Sequence, residues 1–293
     1  MTLFFQQLLA GVATGAVYAS LALALVLIYR STHIVNFAQG EMAMFSTFIA
    51  WQFHQWGIPV WGAIGLALVV SFVGGLAIER VVIRPVEGAS VLSVVIVTLG
   101  LLLIFNQAAG WIWSSVIKRF PAPFPSGAQF IGDVRISYGD IGIIVVLGAT
   151  VTLLYLLFQH TKVGLAMRAA AANPESSRLV GINVGRMLML GWGLAAVLGA
   201  ISGVMVAPKL FLEPNMMLTV QIYAFAAATL GGIDSPVGAV VGGIVVGVAE
   251  NLAGTYIGFV GSDLKIAVPL VIIFAVLMVR PTGLFGRHVV ARV

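Results

Sequence analysis

The sequence predicts an all-α polytopic membrane protein with about eight or nine transmembrane helices, including broken or re-entrant segments. Of its 293 residues, 60% are hydrophobic and only 9% are charged, whereas a soluble globular domain carries roughly a quarter charged residues. This much apolar surface also excludes an intrinsically disordered chain. The chain contains no cysteine, which excludes a disulfide framework, a thiolate metal site and a cysteine nucleophile.

Long runs without Asp, Glu, Lys or Arg supply the predicted helices, since a crossing takes about 20 apolar residues. The runs are residues 1–29, 42–78, 88–117, 141–159, 187–208, 214–233, 235–249 and 266–279. The second is long enough for two helices, with Gly57-Ile58-Pro59 as the turn between them. The first has no basic residue before Arg30 and exceeds the apolar part of a signal peptide, so we expect a retained span. Together they predict a single transmembrane domain over residues 1–293.

The distribution of Lys and Arg predicts the orientation of the chain in the membrane. Placing residues 161–186 in the cytoplasm, with nine crossings, puts ten of the fifteen Lys and Arg residues on that side. We therefore expect a multi-pass protein of a bacterial-type inner (cytoplasmic) membrane, with its N-terminus outside and its C-terminus in the cytoplasm. The net charge of +5 follows from this bias and does not indicate nucleic-acid binding, for which a basic soluble face is expected.

Two short segments interrupt the apolar pattern, residues 36–41 and 231–238. Each places glycine and small polar residues with one carboxylate between apolar runs. Such segments in both halves of a transporter predict broken helices around a translocation path. The predicted path residues are Asn36, Gln39, Gly40, Glu41, Gly231, Gly232 and Ser235. The alternative is a pair of interfacial loops, in which Asn36 and Ser235 cap helices and Glu41 lies on a helix N-terminus.

The run after the second interruption carries glycines at four- and five-residue spacing, which let helix backbones approach closely in lipid. These are Gly238, Gly242, Gly243, Gly247 and Gly254. They predict tight packing inside one subunit or, alternatively, an interface between subunits. Glu250 is the carboxylate that lies furthest inside a predicted helix, and such groups usually face the bundle interior; alternatively, it reaches the outer interface.

The segment of residues 161–186, the 161–186 loop, contains a predicted helix of about two turns. Asn173 is a typical N-cap, Pro174 suits the first helical position, and Gly181 suits a left-handed stop. Two turns are too short to be stable alone in water, so the helix must pack on other structure. We expect Leu179 and Val180 to be available for docking.

Four segments then follow one another in an order typical of a known family. They read IVNFAQGE (34–41), GLAMRA (164–169) with NPE (173–175) and GIN (181–183), LGGIDSPVGAVVGG (230–243), and RPTGLFG (280–286). Together they resemble the LivH-type permease of the branched-chain amino acid ABC transporters over essentially the whole chain. The spacing Glu175-Ser176-Ser177-x-x-x-Gly181 is similar to the Glu-Ala-Ala-x-x-x-Gly loop of ABC importer permeases, with two serines for two alanines. Gln39 stands where the family usually has histidine.

The resemblance implies a transport subunit for branched-chain or related amino acids, with no catalytic residue and no metal site. It also implies two cytoplasmic ATPase subunits, a second permease of the same or a related sequence, and an extracytoplasmic substrate-binding protein. ATP and magnesium would bind to the ATPases, and the chain itself has no Gly-Lys dipeptide and hence no P-loop. The residues implied for coupling to the ATPases are Asn173, Pro174, Glu175, Ser176, Ser177, Arg178, Leu179 and Gly181.

Two other classes of function are alternatives. A self-sufficient secondary transporter or channel for small polar solutes would move substrate with this chain alone, although a channel filter would need repeated polar groups that the sequence lacks. An intramembrane enzyme is disfavoured, because the histidines lie at predicted membrane edges and no His-Glu-x-x-His motif occurs. Those histidines are His33, His54, His160 and His288. The substrate stays open among aliphatic and aromatic amino acids, amides, urea and small acids.

Overall fold

The computed structural model describes residues 2–132, 134–261 and 264–286, and most of these are helical. The α-helices are α1 (Thr2–Thr32), α2 (Gln39–Gln55), α3 (Val60–Ile78), α4 (Val91–Trp113), α5 (Tyr138–His160), α6 (Lys162–Ala172), α7 (Pro174–Leu179), α8 (Val184–Leu210), α9 (Met216–Gly231), α10 (Pro236–Tyr256) and α11 (Ala267–Val279). A π-helical turn (Glu79–Ile83) and a 3-10 turn (Arg84–Val86) continue α3. Arg287 and Arg292, which are two of the ten Lys and Arg residues expected on the cytoplasmic side, and His288 lie outside the described residues.

The helices fall where the apolar runs predict them. In the described part of the chain, six are long and apolar enough to cross a membrane: α1, α3 with its continuation to Val86, α4, α5, α8 and α10. Helices α2, α9 and α11 have 17, 16 and 13 residues and are shorter than a full crossing takes. Each of the three adjoins an irregular segment. The predicted turn between α2 and α3 is confirmed, with Gly57 at a φ of 89°.

The chain divides into two compact units, each built from separate stretches of sequence. The first unit comprises Met1–Val26, Phe124–Ile144 and Leu218–Val293 in their described parts, and the second comprises Leu27–Pro123 and Val145–Met217. Three of the unit boundaries fall inside helices, namely α1, α5 and α9. The single permease domain over residues 1–293 stays a prediction.

In the first unit, α1 and α10 pack through glycines. A Cβ on Gly15 would lie 2.6 Å from the carbonyl oxygen of Gly243, and one on Gly11 would lie 2.7 Å from the Cα of Val248. Backbones at this distance leave no room for a side chain. The predicted stripe of small residues therefore packs inside the unit. Its remaining members also contact groups of the same unit, namely Gly238, Gly242, Gly247 and Gly254.

In the second unit, α8 is the central helix and packs along α2 and α3. Small residues again allow the approach, since a Cβ on Gly75 of α3 would lie 2.6 Å from the carbonyl oxygen of Trp192. On the α2 side, a Cβ on Gly203 would lie 2.7 Å from the carbonyl oxygen of Ala43. The close contacts fix α8 against both neighbours, and most of its length is buried.

A β-hairpin, which was not predicted from the sequence, precedes α5. Strands β1 (Ala128–Ile131) and β2 (Val134–Ser137) pair antiparallel, with Gln129 opposite Ile136. Strands of four residues carry too little alternation to be recognised in a sequence. Helix α5 begins directly after β2, at Tyr138.

Candidate coupling loop and translocation path

The 161–186 loop contains two capped helices, α6 and α7. The hydroxyl of Thr161 accepts a hydrogen bond from the backbone N–H of Gly164 at 3.0 Å. The Oδ1 of Asn173 accepts one from the N–H of Ser176 at 2.9 Å, and Pro174 occupies the first position of α7. The predicted N-terminus of this helix is confirmed, because side-chain capping satisfies an N–H that the helix itself cannot pair.

The end of α7 is a Schellman motif. The N–H of Gly181 donates to the carbonyl of Arg178 at 3.1 Å, and the N–H of Ile182 donates to the carbonyl of Ser177 at 3.0 Å. Gly181 has a φ of 82°, a backbone conformation that residues other than glycine rarely adopt. A Cβ at this position would meet nothing within 4 Å, so the backbone conformation and not packing selects glycine. The predicted stop is confirmed.

The two helices pack on the start of α8. Ala170 of α6 is buried with Val184 and Leu188 of α8, and Ile182 lies at the edge of this cluster. Within α7, Ser177 is buried. Asn183 then caps α8, accepting from the N–H of Arg186 at 3.1 Å. The expectation that so short a helix packs on other structure is therefore confirmed.

The outward face of α7 is apolar at its end. Leu179 is 88% exposed and Val180 is 76% exposed, although burying such side chains is favourable. The remaining residues predicted for coupling are exposed as well, apart from Ser177: Asn173, Pro174, Glu175, Ser176, Arg178 and Gly181. This surface is suited to contact with another protein.

An ion pair between a buried carboxylate and a partly exposed guanidinium adjoins the loop, and the sequence did not predict it. The Nη2 of Arg84 lies 2.9 Å from the Oε2 of Glu79, and it donates to the backbone carbonyl of Gly185 at 2.7 Å. Glu79 is 1% exposed. The pair thus ties the end of the α3 segment to the first turn of α8. The two partners of Arg84 are five and 101 residues away in sequence, so only the fold could reveal the bond to α8.

In the first interruption, the polar side chains bond to one another and to α8. The Oδ1 of Asn36 accepts from the N–H of Ala38 at 3.0 Å, and its Nδ2 donates to the Oε1 of Gln39 at 3.0 Å. The Nε2 of Gln39 donates to the carbonyl of Ala195 at 2.9 Å. The suggested cap at Asn36 is wrong, because the residue before α2 is Ala38 and makes no side-chain cap. Asn36 instead forms a local turn onto Ala38.

Glu41 lies in the first turn of α2, as the loop alternative expects, but it is completely buried along with Gly40. Its Oε2 accepts a hydrogen bond of 3.4 Å from the Nδ2 of Asn106 on α4. Among the described residues, its Oε1 has no hydrogen-bond partner. Asn106 also approaches the carbonyl of Pro214 at 3.1 Å and the Oδ1 of Asn215 at 3.0 Å.

In the second interruption, the C-terminal segment of the first unit covers the glycines. The N–H of Phe285 donates to the carbonyl of Gly231 at 3.0 Å. A Cβ on Gly232 would lie 2.6 Å from the backbone nitrogen of Gly286, and Gly232 has a φ of 101°. The suggested cap at Ser235 is confirmed, since its Oγ accepts from the N–H of Gly238 at 3.1 Å. The structure gives the positions and contacts of the residues in both interruptions. Their role in a translocation path stays a prediction.

Glu250 faces the interior of the first unit, where it is buried, as the sequence predicts. The hydroxyl of Tyr18 donates to its Oε2 at 2.7 Å. The ring of Tyr18 stacks on that of Tyr223 with centroids 4.6 Å apart, and Tyr223 also bonds to Glu250. Neither tyrosine is predictable as a partner of Glu250 from the sequence, since Tyr18 lies 232 residues away.

Comparison with known proteins decides the family. The family model described as "Branched-chain amino acid transport system / permease component" matches residues 7–279. The chain belongs to this family. It is 31% identical to the high-affinity branched-chain amino acid transport system permease protein BraD of Pseudomonas aeruginosa, over 99% of this chain and 98% of that protein. It is 28% identical to LivH of Escherichia coli, with the same coverage.

A solved structure shares the fold. A chain of PsaBC from Streptococcus pneumoniae, in complex with Fab, matches with a TM-score of 0.50 at 14% identity, over 94% of this chain and 91% of that one. The predicted fold class and the LivH-type resemblance are confirmed. The chain is therefore a multi-pass membrane protein and a transport permease subunit.

Proposed function

We propose that this chain forms the translocation path of an ATP-driven importer for branched-chain or related amino acids in the inner membrane. The names of BraD and LivH, at about 30% identity over nearly the whole chain, support the substrate class. The observation that supports the coupling is the capped helix α7, at whose end Leu179 and the adjacent Val180 form an exposed apolar surface.

In this proposal the energy source lies on other chains. The sequence has no P-loop, so two cytoplasmic ATPase subunits bind the nucleotide and its magnesium. A second permease, identical or related, completes the path, and an extracytoplasmic binding protein delivers the substrate. The N-terminus lies outside, and the C-terminus and the 161–186 loop lie in the cytoplasm.

The local geometry suits the transmission of movement from α7 to α8. Only Val180 to Asn183 separate the two helices, and these residues are fixed by the Schellman bonds and by the cap at Asn183. The buried contacts of Ala170 with α8 hold α6 to the same helix. A displacement of α7 by closing ATPases therefore moves α8, whose packing on α2 and α3 makes it the core of the second unit. The two arrangements would be stabilised by different contacts, as a population shift requires.

The test uses membranes that contain the whole transporter. The tagged chain is purified in mild detergent, co-purifying subunits are identified by mass spectrometry, and leucine uptake is measured in proteoliposomes with and without ATP. We expect Val180→Asp to lose the ATPase subunits and ATP-dependent uptake. Val116→Asp is the matched control, since Val116 is 69% exposed but lies in another loop. Recovery of the chain alone, with leucine flux that needs no ATP, would support a secondary transporter and overturn the proposal.

A further inference from the structure

Glu41 is a buried carboxylate without an ion-pair partner among the described residues. It is 0% exposed, and in the described part of the chain its Oε1 has no hydrogen-bond partner and its carboxylate makes no ion pair. The other completely buried acid of the second unit, Glu79, is paired with Arg84. A buried charge without a partner is costly, and ionisable groups retained inside membranes usually mark substrate or ion pathways. Glu41 is therefore suited to bind the cationic group of a ligand.

The groups beside Glu41 orient its carboxylate. Asn106 donates to Oε2 at 3.4 Å and is itself held by the carbonyl of Pro214 at 3.1 Å. Asn215 adds a second amide next to Asn106, at 3.0 Å. A ligand ammonium needs acceptor oxygens, and this cluster offers the free carboxylate oxygen of Glu41 together with amide oxygens.

An apolar wall of aromatic rings lies one helical turn further along α2. Phe45 packs edge-on against Phe105 with ring centroids 5.2 Å apart, and against Trp113 at 5.1 Å. Phe45 follows Glu41 by four residues, a rise of about 6 Å along the helix. This spacing is comparable with the extent of a small aliphatic amino acid. The cluster thus places an anionic group and an apolar wall at the two ends of such a molecule.

We propose that Glu41 takes the α-ammonium group of the transported amino acid, and that Phe45 and Phe105 contact its aliphatic side chain. The inference rests on the proposed function, since it presumes an amino acid as the substrate. Because Glu41 is completely buried between α2 and α4, the ligand reaches it in a conformation in which these helices separate. Such an alternation is what a transporter needs in order to open its site to one side at a time.

The test compares two substitutions that separate charge from shape. Glu41→Gln keeps the shape and removes the charge, and Glu41→Asp keeps the charge. Each is measured in the complete transporter complex. Since a hydrogen bond to a charged group contributes about 1.5–3 kcal/mol, we expect Glu41→Gln to lower ATP-dependent leucine uptake by roughly ten- to a hundredfold. Glu41→Asp should retain more uptake than Glu41→Gln.

A binding measurement addresses the ammonium group directly. The unfolding temperature of the purified complex is recorded with 3-methylbutylamine, which is leucine without its carboxylate, and with 4-methylpentanoate, which is leucine without its amino group. A ligand that binds the folded state raises that temperature. We expect the amine to stabilise the wild type and not Glu41→Gln, and the acid to stabilise neither. Glu79→Gln is the matched control, because it removes a buried but paired carboxylate and should leave the effect of the amine intact.

Several outcomes would overturn the inference. If Glu41→Gln transports leucine at the wild-type rate, Glu41 is a neutral structural group. If Glu41→Gln does not assemble, the measurement on the wild type is the test. If 3-methylbutylamine does not raise the unfolding temperature of the wild type, Glu41 is not an ammonium subsite. ATP-dependent leucine uptake by the wild type, in either case, would leave the proposed function standing. A wild type without any such uptake would instead refute the proposed function.

Discussion

Removal of the Arg84 side chain should destabilise the protein strongly, because it leaves a buried charge without a partner. Its guanidinium lies 2.9 Å and 3.1 Å from the two carboxylate oxygens of Glu79, which is 1% exposed. Breaking a fully buried ion pair on one side costs about 3–5 kcal/mol, and the 27% exposure of the Arg84 side chain places the expected cost at the lower end, about 3 kcal/mol. Arg84→Met also loses the bond to the carbonyl of Gly185, at 2.7 Å, and with it a tie between the α3 segment and α8.

Thermal unfolding of the purified complex measures this effect, and ATP-dependent uptake reports whether the tie to α8 serves coupling. Arg80→Met is the control, since Arg80 lies on the same π-helical turn but is exposed, and such surface changes usually stay within about 0.5 kcal/mol. The double variant Glu79→Gln with Arg84→Met should recover much of the lost stability, because no buried charge is left unpaired. Equal losses for Arg84→Met and Arg80→Met, or additive losses in the double variant, would refute the reasoning.

Three further predictions concern single contacts, each checked by thermal unfolding of the complex. Gly181→Ala should lower the free energy of unfolding by roughly 1–2 kcal/mol, because its φ of 82° is strained for any residue with a Cβ. Gly88→Ala is the control and should lower it less, since a Cβ on Gly88 would lie in open space. Gly247→Ala should cost about 1–3 kcal/mol, since its Cβ would lie 2.6 Å from the carbonyl oxygen of Gly11; an unchanged stability would contradict that packing. Tyr18→Phe removes a 2.7 Å hydrogen bond to Glu250 and should cost about 1–3 kcal/mol, whereas a neutral effect would show that Tyr223 satisfies the carboxylate alone.

The sequence predicts those features that depend on neighbours along the chain. The helices follow from apolar runs, and α7 follows from Asn173 and Gly181, whose capping bonds reach only three to five residues. The stop at Gly181 is predictable because the left-handed conformation favours glycine wherever it occurs. The cap at Ser235 is local in the same sense.

Features that depend on residues distant in sequence could not be predicted. Asn106 reaches Glu41 across 65 residues, and Tyr18 reaches Glu250 across 232. A sequence shows that Glu41 is a carboxylate beside an apolar run, but whether its oxygens find partners depends on how α2 and α4 pack. The cap assigned to Asn36 failed for a related reason, since asparagine forms a turn as readily as a cap, and here the turn places Gln39 against α8.

Photo-crosslinking from α7 tests most directly whether this helix couples the permease to ATPases. A benzoylphenylalanine side chain replaces Val180 in one variant and Val116 in another, and native membranes containing the complete transporter are irradiated. We expect an adduct between position 180 and an ATPase subunit, identified by mass spectrometry, and no such adduct from position 116. Adducts from position 180 with lipid or with this chain alone, in membranes that import leucine, would contradict it.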